Sequence, residues 1–158
     1  MTDTTPSYGA SPTALTVTNL QSLADGAFWQ SAAQDNDTAG AMLVRIFLTI
    51  VTTTTAAAAV GDIRLLVAGS VDGGTDFAGG ASGTEGAYTV VGNSDDHLTL
   101  LDFITIDATE TTARTYEIEV VLENVPKDYS LIIEQNTGAA LASSGNSVEI
   151  LIEKFSQA

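Results

Sequence analysis

The chain has 158 residues, with 20 Asp and Glu against 5 Lys and Arg, a single His and no Cys. This length predicts one domain, and the lack of Cys excludes disulfides and thiolate metal sites. The formal net charge of −15 argues against nucleic acid and anionic lipid as partners, because cations bind both. We expect no secretory signal, since the start lacks a basic region followed by an apolar run, and no apolar run is long enough to span a membrane.

The first twelve residues, rich in Thr, Ser, Pro and Gly, predict a flexible arm before a single domain at residues 13–158. The Thr- and Ala-rich tract at 52–59 predicts a loop. Elsewhere, segments rich in β-branched and aromatic residues alternate with turn-forming clusters of Gly, Asn, Asp and Ser. This spacing predicts an all-β fold, a single-domain antiparallel β-sandwich that is jelly-roll-like with eight or nine strands. The apolar segments cover residues 15–20, 27–33, 41–51, 63–71, 87–91, 98–106, 115–122, 129–135 and 148–155.

Two segments near the C-terminal end, residues 115–122 and 147–153, alternate apolar residues with carboxylates. A period of two predicts strands with one apolar and one acidic face. On the acidic face the glutamates are expected to discourage edge-to-edge pairing. The register that places the apolar face in the core buries Val44, Ile46, Tyr116, Ile118, Ile150 and Ile152. It leaves four apolar side chains on the outer face, where we expect a contact with another subunit or another protein: Leu43, Phe47, Val121 and Leu151.

The glycine-rich stretch at residues 72–86 predicts a long mobile loop, a common place for binding sites. The candidate binding loop is its first part: Asp72, Gly73, Gly74, Asp76 and Phe77. Asp72 and Asp76 suggest calcium, a hard cation that prefers oxygen ligands. A lone short motif without the twelve-residue EF-hand loop is more typical of a hairpin turn, so we expect no metal and no cofactor.

The chain contains few of the residue patterns that catalytic sites require. His97 follows Asp95 and Asp96, but no G-x-S-x-G turn offers a nucleophile, so we interpret His97 as a solvated loop residue. Glycosidase sites usually place aromatic platforms beside paired acids, and aromatic residues make up only 6% of this chain. We expect Trp29 to anchor the core, and the alternative is that Trp29 and Tyr88 stack on a sugar. The chain is therefore predicted not to be an enzyme.

Three parts of the chain together resemble a known family. They are residues 20–24 with 31–36, residues 63–72 (IRLLVAGSVD), and residues 125–141 (VPKDYSLIIEQNTGAAL), which close with Gly145 and Asn146. They are similar to segments of tailed-bacteriophage virion structural proteins, small jelly-roll-type proteins of the capsid decoration or cement kind. The chain departs from that family in its more acidic final strand and in the glycine-rich insertion after Asp72.

The resemblance implies a non-enzymatic protein that binds the outside of the capsid and stabilises it. It implies the major capsid protein as a partner, self-association as a homo-oligomer such as a trimer, and a location on the outer capsid surface of the virion. An external position suits an acidic chain, because packaged DNA would repel it. The alternative function is a carbohydrate-binding or host-recognition β-sandwich that uses Trp29, Tyr88 and residues 72–86.

Overall fold

A computed structural model describes residues 4–8, 11–53, 61–70, 72–90, 98–106 and 112–157. These residues form two antiparallel sheets that enclose one main core, which confirms the predicted all-β sandwich. The helical parts are short: 3₁₀ turns at Thr18–Leu20 and Ala78–Gly80 and one α-helical turn, α1, at Asn36–Ala39. The strands are β1 Thr4–Tyr8, β2 Thr13–Ala14, β3 Ala27–Gln30, β4 Gln34–Asp35, β5 Leu43–Val51, β6 Gly61–Ser70, β7 Gly86–Tyr88, β8 Thr99–Ile106, β9 Thr115–Glu123, β10 Asp128–Asn136 and β11 Ser147–Gln157.

The strands are connected as in one long hairpin whose paired strands are divided between the two sheets. Sheet A has the order β1-β11-β5-β9, with β2 also paired to β11, and sheet B has the order β7-β3-β10-β6-β8, with β4 also paired to β10. Four antiparallel pairs are nested in the sequence: β2 with β11, β3 with β10, β5 with β9, and β6 with β8. Nested pairs that are divided between two sheets are the connectivity of a jelly roll.

The core lies between the sheets and follows the alternation of the strands. Every second residue of β5 is buried, and the neighbouring strands contribute their matching rows. The predicted register is confirmed, because the six predicted residues belong to this core or pack against it: Val44, Ile46, Tyr116, Ile118, Ile150 and Ile152. The intervening residues of β5, β9 and β11 consequently form the outer face of sheet A.

Residues 72–86, here called the covering segment, pack on the outer face of sheet B. Phe77 and Ala81 are buried there in an outer cluster that consists of Leu66, Ala68, Phe77, Ala81, Tyr88 and Ile132. A Cβ on Gly79 would lie 2.7 Å from the Leu98 side chain, and one on Gly83 would lie 2.7 Å from the Phe77 ring. The glycines predicted a mobile loop, whereas in the structure they permit close packing.

Other parts of the structure differ from expectation. Thr4–Tyr8, within the predicted arm, forms β1 opposite the last residues of β11. Residues 15–20, predicted as a strand-like segment, end in a 3₁₀ turn that buries Leu20. Because β11 lies between β5 on one side and β1 and β2 on the other, its glutamates do not protect a sheet edge, and that interpretation was wrong for β11. Residues 54–60, and His97 with its neighbouring aspartates, lie outside the described residues.

Candidate functional site

The outer face of sheet A brings the four predicted contact residues together around Arg45. Leu43, Arg45 and Phe47 project outward from β5, since the residues between them lie in the core. Arg45 stands opposite Leu151 of β11 on one side and opposite Val121 of β9 on the other. The four apolar residues are therefore the nearest neighbours of Arg45 on this face, two along its own strand and two across.

Glutamates occupy the diagonal positions around Arg45. Leu43 stands between Glu153 and Glu123, and Phe47 stands between Glu149 and Glu119. We call this set of three rows the Arg45 patch, and it consists of Leu43, Arg45, Phe47, Glu119, Val121, Glu123, Glu149, Leu151 and Glu153. One Arg against four Glu gives the patch a net charge of −3.

Arg45 is bonded within the patch. Its Nη1 donates to Glu119 Oε1 at 2.7 Å, and its Nε donates to Glu153 Oε1. The hydrogen bond to Glu153, the hydrogen bond to Glu119 and their charges raise the pKa of Arg45 above its ordinary value. The guanidinium is thus already paired, and the patch presents apolar side chains and carboxylates at the surface.

The exposure of the patch suits contact with another macromolecule. Val121 is 40% exposed, and Leu43, Phe47 and Leu151 are half-buried among their neighbours. The sequence identified these four residues and missed Arg45 as their centre. The sequence did contain the information, because Arg45 is two residues from both Leu43 and Phe47 and therefore lies on the same face of the strand. A sheet face of this kind offers a broad platform for a protein surface.

The candidate binding loop is a turn held by Asp72. Its Oδ1 accepts hydrogen bonds from the Ser70 hydroxyl at 2.7 Å and from the backbone N–H groups of Thr75 at 3.2 Å and Asp76 at 3.1 Å. The bond from Ser70, followed by those from the backbone, lowers the pKa of the Asp72 carboxyl. Phe77 is not available at the surface, because its ring is buried in the outer cluster.

The same turn carries the calcium candidate of the sequence. Gly73 and Gly74 bend it with φ angles of 80° and 75°. Beneath Gly74 lies the buried carboxylate of Asp128, whose Oδ2 has no hydrogen-bond partner among the described residues. Within the described ranges, no group of three or more His, Asp or Glu side chains is placed to share a metal ion. The hydrogen bonds of Asp72 account for the shape of the turn.

The aromatic rings of the alternative function are internal. Trp29 is fully buried in the main core, as predicted, and its Nε1 donates to Glu85 Oε1 at 2.9 Å. Tyr88 is buried in the outer cluster, where its hydroxyl donates to the backbone carbonyl of Gly79. Neither ring presents a face on which a sugar could stack.

A depression of about 440 Å³ lies on the outer face of sheet B. Its charged centre is Arg64, which donates to Asp62 at 2.8 Å and to Glu134 at 3.2 Å. Leu100 and Phe103 of β8 line it and are 51% and 55% exposed. None of these residues was predicted from the sequence as part of a site.

No family model matches the chain, and no curated protein matches it.

Among the described residues, no helix is long and apolar enough to cross a membrane. A functional proposal must therefore rest on the fold and on the geometry of the Arg45 patch.

Proposed function

We propose that the protein is a non-enzymatic virion structural protein that binds the outside of a phage capsid and stabilises it. The Arg45 patch is the observation that carries this proposal, because Leu43, Phe47, Val121 and Leu151 lie next to one another on one outward face. The jelly-roll order of the strands is consistent with the small virion proteins that three segments of the sequence resemble. The proposed partner is the major capsid protein.

The chemistry of the patch indicates what the partner surface contains. Burial of the apolar side chains around Arg45 provides a hydrophobic contribution to binding. The carboxylates at the corners favour a surface that carries Arg or Lys and repel an acidic surface. A capsid segment with apolar and basic side chains therefore fits this face.

Self-association belongs on another face of the molecule. Two Arg45 patches in contact would bring together two surfaces that each carry a net charge of −3, and this repulsion opposes a dimer. The depression on sheet B has one Arg against two acids, with Leu100 and Phe103 exposed beside them. We place the contact of a homo-oligomer, such as a trimer, there. A monomer in light scattering at micromolar concentration would contradict this part of the proposal.

The experiment that tests the main proposal is mass spectrometry of particles purified from the phage that encodes the chain. We expect the protein in many copies per particle, and we expect particles without it to lose their DNA at a lower temperature. Recombinant protein added back should restore the heat resistance. Absence of the protein from purified particles would remove the proposal.

A further inference from the structure

One end of the outer face of sheet A contains a groove. It has a volume of about 420 Å³ and is lined by Pro12, Phe47, Leu48, Thr49, Glu117, Ile118, Glu119 and Glu149. We call it the Phe47 groove. Phe47 lies at its edge toward the Arg45 patch, and Thr49 is the next outward residue of β5. The groove exists because Thr49 has a short side chain, whereas Arg45, two rows away on the same face, has a long one.

The surroundings of Thr49 resemble those of Arg45. Glu117 stands directly opposite Thr49, while Glu119 and Glu149 stand one row away on the two flanking strands. Arg45 likewise has Phe47 beside it and Glu119 diagonal to it, and it pairs with that carboxylate. The space over Thr49 thus has acidic and aromatic neighbours like those of Arg45, but no cationic side chain among the described residues lines it.

Two of the three carboxylates around the groove have no partner among the described residues. Glu119 is bonded to Arg45. Glu117 and Glu149 make no side-chain hydrogen bond or ion pair with any described residue, and Glu117 is exposed while Glu149 is half-buried. Their Cα atoms are roughly 12 Å apart, from two strand spacings across and one row along the sheet. A guanidinium or ammonium group between them can reach both carboxylates.

We propose that the Phe47 groove receives an Arg or Lys side chain of the partner protein. The aliphatic stem packs against the Phe47 ring, and the charged group pairs with Glu117 and Glu149, so that an apolar contact and charge-assisted hydrogen bonds act together. This inference rests on the proposed function for the identity of the partner, and it adds the chemical group that the partner inserts.

The test is a titration of the isolated, ¹⁵N-labelled protein with a blocked Gly-Arg-Gly peptide, followed by NMR. The blocked Gly-citrulline-Gly peptide, which has a similar shape and no charge, is the control ligand. We expect shift changes centred on residues 47–49, 117–119 and 149 with the arginine peptide only. Equal binding of the citrulline peptide, or changes centred elsewhere, would overturn the proposal.

Matched variants distinguish binding in the groove from attraction to the net negative charge of the protein. The double variant Glu117→Gln and Glu149→Gln should weaken the binding of the arginine peptide about fivefold, as expected for the loss of two exposed ion pairs. Asp76→Asn with Asp102→Asn makes the same change in net charge on the sheet B side and should leave the affinity within about twofold. Equal weakening by both pairs would overturn the proposal.

A larger, charged side chain at position 49 gives an independent check. In Thr49→Arg the new guanidinium should occupy the groove, pair with Glu117 and Glu149, and abolish peptide binding although every carboxylate is retained. Unchanged binding to this variant would contradict the proposed position of the cation. Because the titration needs no capsid, a positive titration with a protein absent from particles removes only the proposed function. A particle-bound protein with a negative titration removes only the groove.

Discussion

At the scale of single residues, Glu85 connects the covering segment to the main core. Its carboxylate accepts hydrogen bonds from Trp29 Nε1 at 2.9 Å and from the backbone N–H and Nδ2 of Asn19 at 2.8 and 2.9 Å. Burial raises the pKa of Glu85, but these three hydrogen bonds outweigh it and bring the pKa below the ordinary value of 4.5. Glu85 therefore stabilises the fold above its unfolded pKa, and this contribution is lost as the pH falls through the folded pKa.

The substitution Glu85→Gln tests this linkage. The variant should have a lower free energy of unfolding than the original protein at pH 7, because a neutral amide accepts weaker hydrogen bonds. The difference should shrink once the pH falls below the ordinary value of 4.5. Urea unfolding between pH 7 and pH 3 measures it, with Glu123→Gln as a control for an exposed carboxylate. A difference that stays constant with pH would contradict the argument.

Asn146 is a second residue with a structural role that its neighbours define. Its side chain is buried, Oδ1 accepts from the backbone N–H of Val51 at 2.8 Å, and Nδ2 donates to Gln21 Oε1 at 2.8 Å and to the Ala142 carbonyl at 2.9 Å. These bonds join the end of β5 to the loop before β11. Removing them leaves buried polar groups without partners.

We therefore expect Asn146→Ala to lower the free energy of unfolding by about 3 kcal/mol. Ser144→Ala, in the exposed part of the same loop, should change it by less than about 0.5 kcal/mol. Chemical denaturation of both variants measures the difference. Equal stabilities would mean that the Asn146 bonds are replaced by water at little cost.

At the scale of elements, the covering segment depends on one large side chain. Phe77 fills the outer cluster between residues of β6 and β10, so Phe77→Ala should destabilise the packed covering segment by about 3–5 kcal/mol. Hydrogen exchange should then accelerate in residues 72–86 while the central strands β5 and β11 keep their protection. Thr75→Ala, on the exposed turn, is the control. Equal acceleration throughout the chain would show that the segment is not a separate unit.

The sequence could predict some elements and not others for physical reasons. β9 and β11 are visible because burial of one face imposes alternation on the residues. β1 pairs through its backbone, which leaves little trace in the identity of its residues. In the covering segment, a single Phe among many glycines did not reveal that the ring would be buried against a sheet.

At the scale of the whole molecule, charge repulsion opposes folding. The chain has 20 acidic residues against 5 Lys and Arg, so bringing the charges together costs free energy that salt reduces. We expect the melting temperature to rise when NaCl is increased from about 0.02 M to about 0.5 M. A calorimetric scan at each concentration tests this. A fall would mean that the ion pairs of Arg45 and Arg64 contribute more than the general repulsion.

The whole-molecule arrangement of the site could be predicted only in part. Strand parity showed that Leu43 and Phe47 share one face of β5. It also showed that Val121 points outward from β9 and that Leu151 points outward from β11. It could not show that Val121 and Leu151 lie opposite Arg45, because that depends on pairing between strands distant in sequence. The bonds from Arg45 to Glu119 and Glu153 span 74 and 108 positions. The same limit applies to the nested pairs of the jelly roll.

The central claim is that the protein binds its capsid through the outer face of sheet A, and one binding measurement tests it directly. Val121 is an exposed residue of the Arg45 patch, and Thr75 is an exposed residue of the covering segment on the opposite sheet, so Val121→Lys and Thr75→Lys make the same change in charge inside and outside the proposed contact. We would measure the binding of each variant to capsids from which the native protein has been stripped. We predict a loss of at least tenfold in affinity, about 1.4 kcal/mol, for Val121→Lys and little change for Thr75→Lys. The reverse order, or equal binding of both variants, would contradict it.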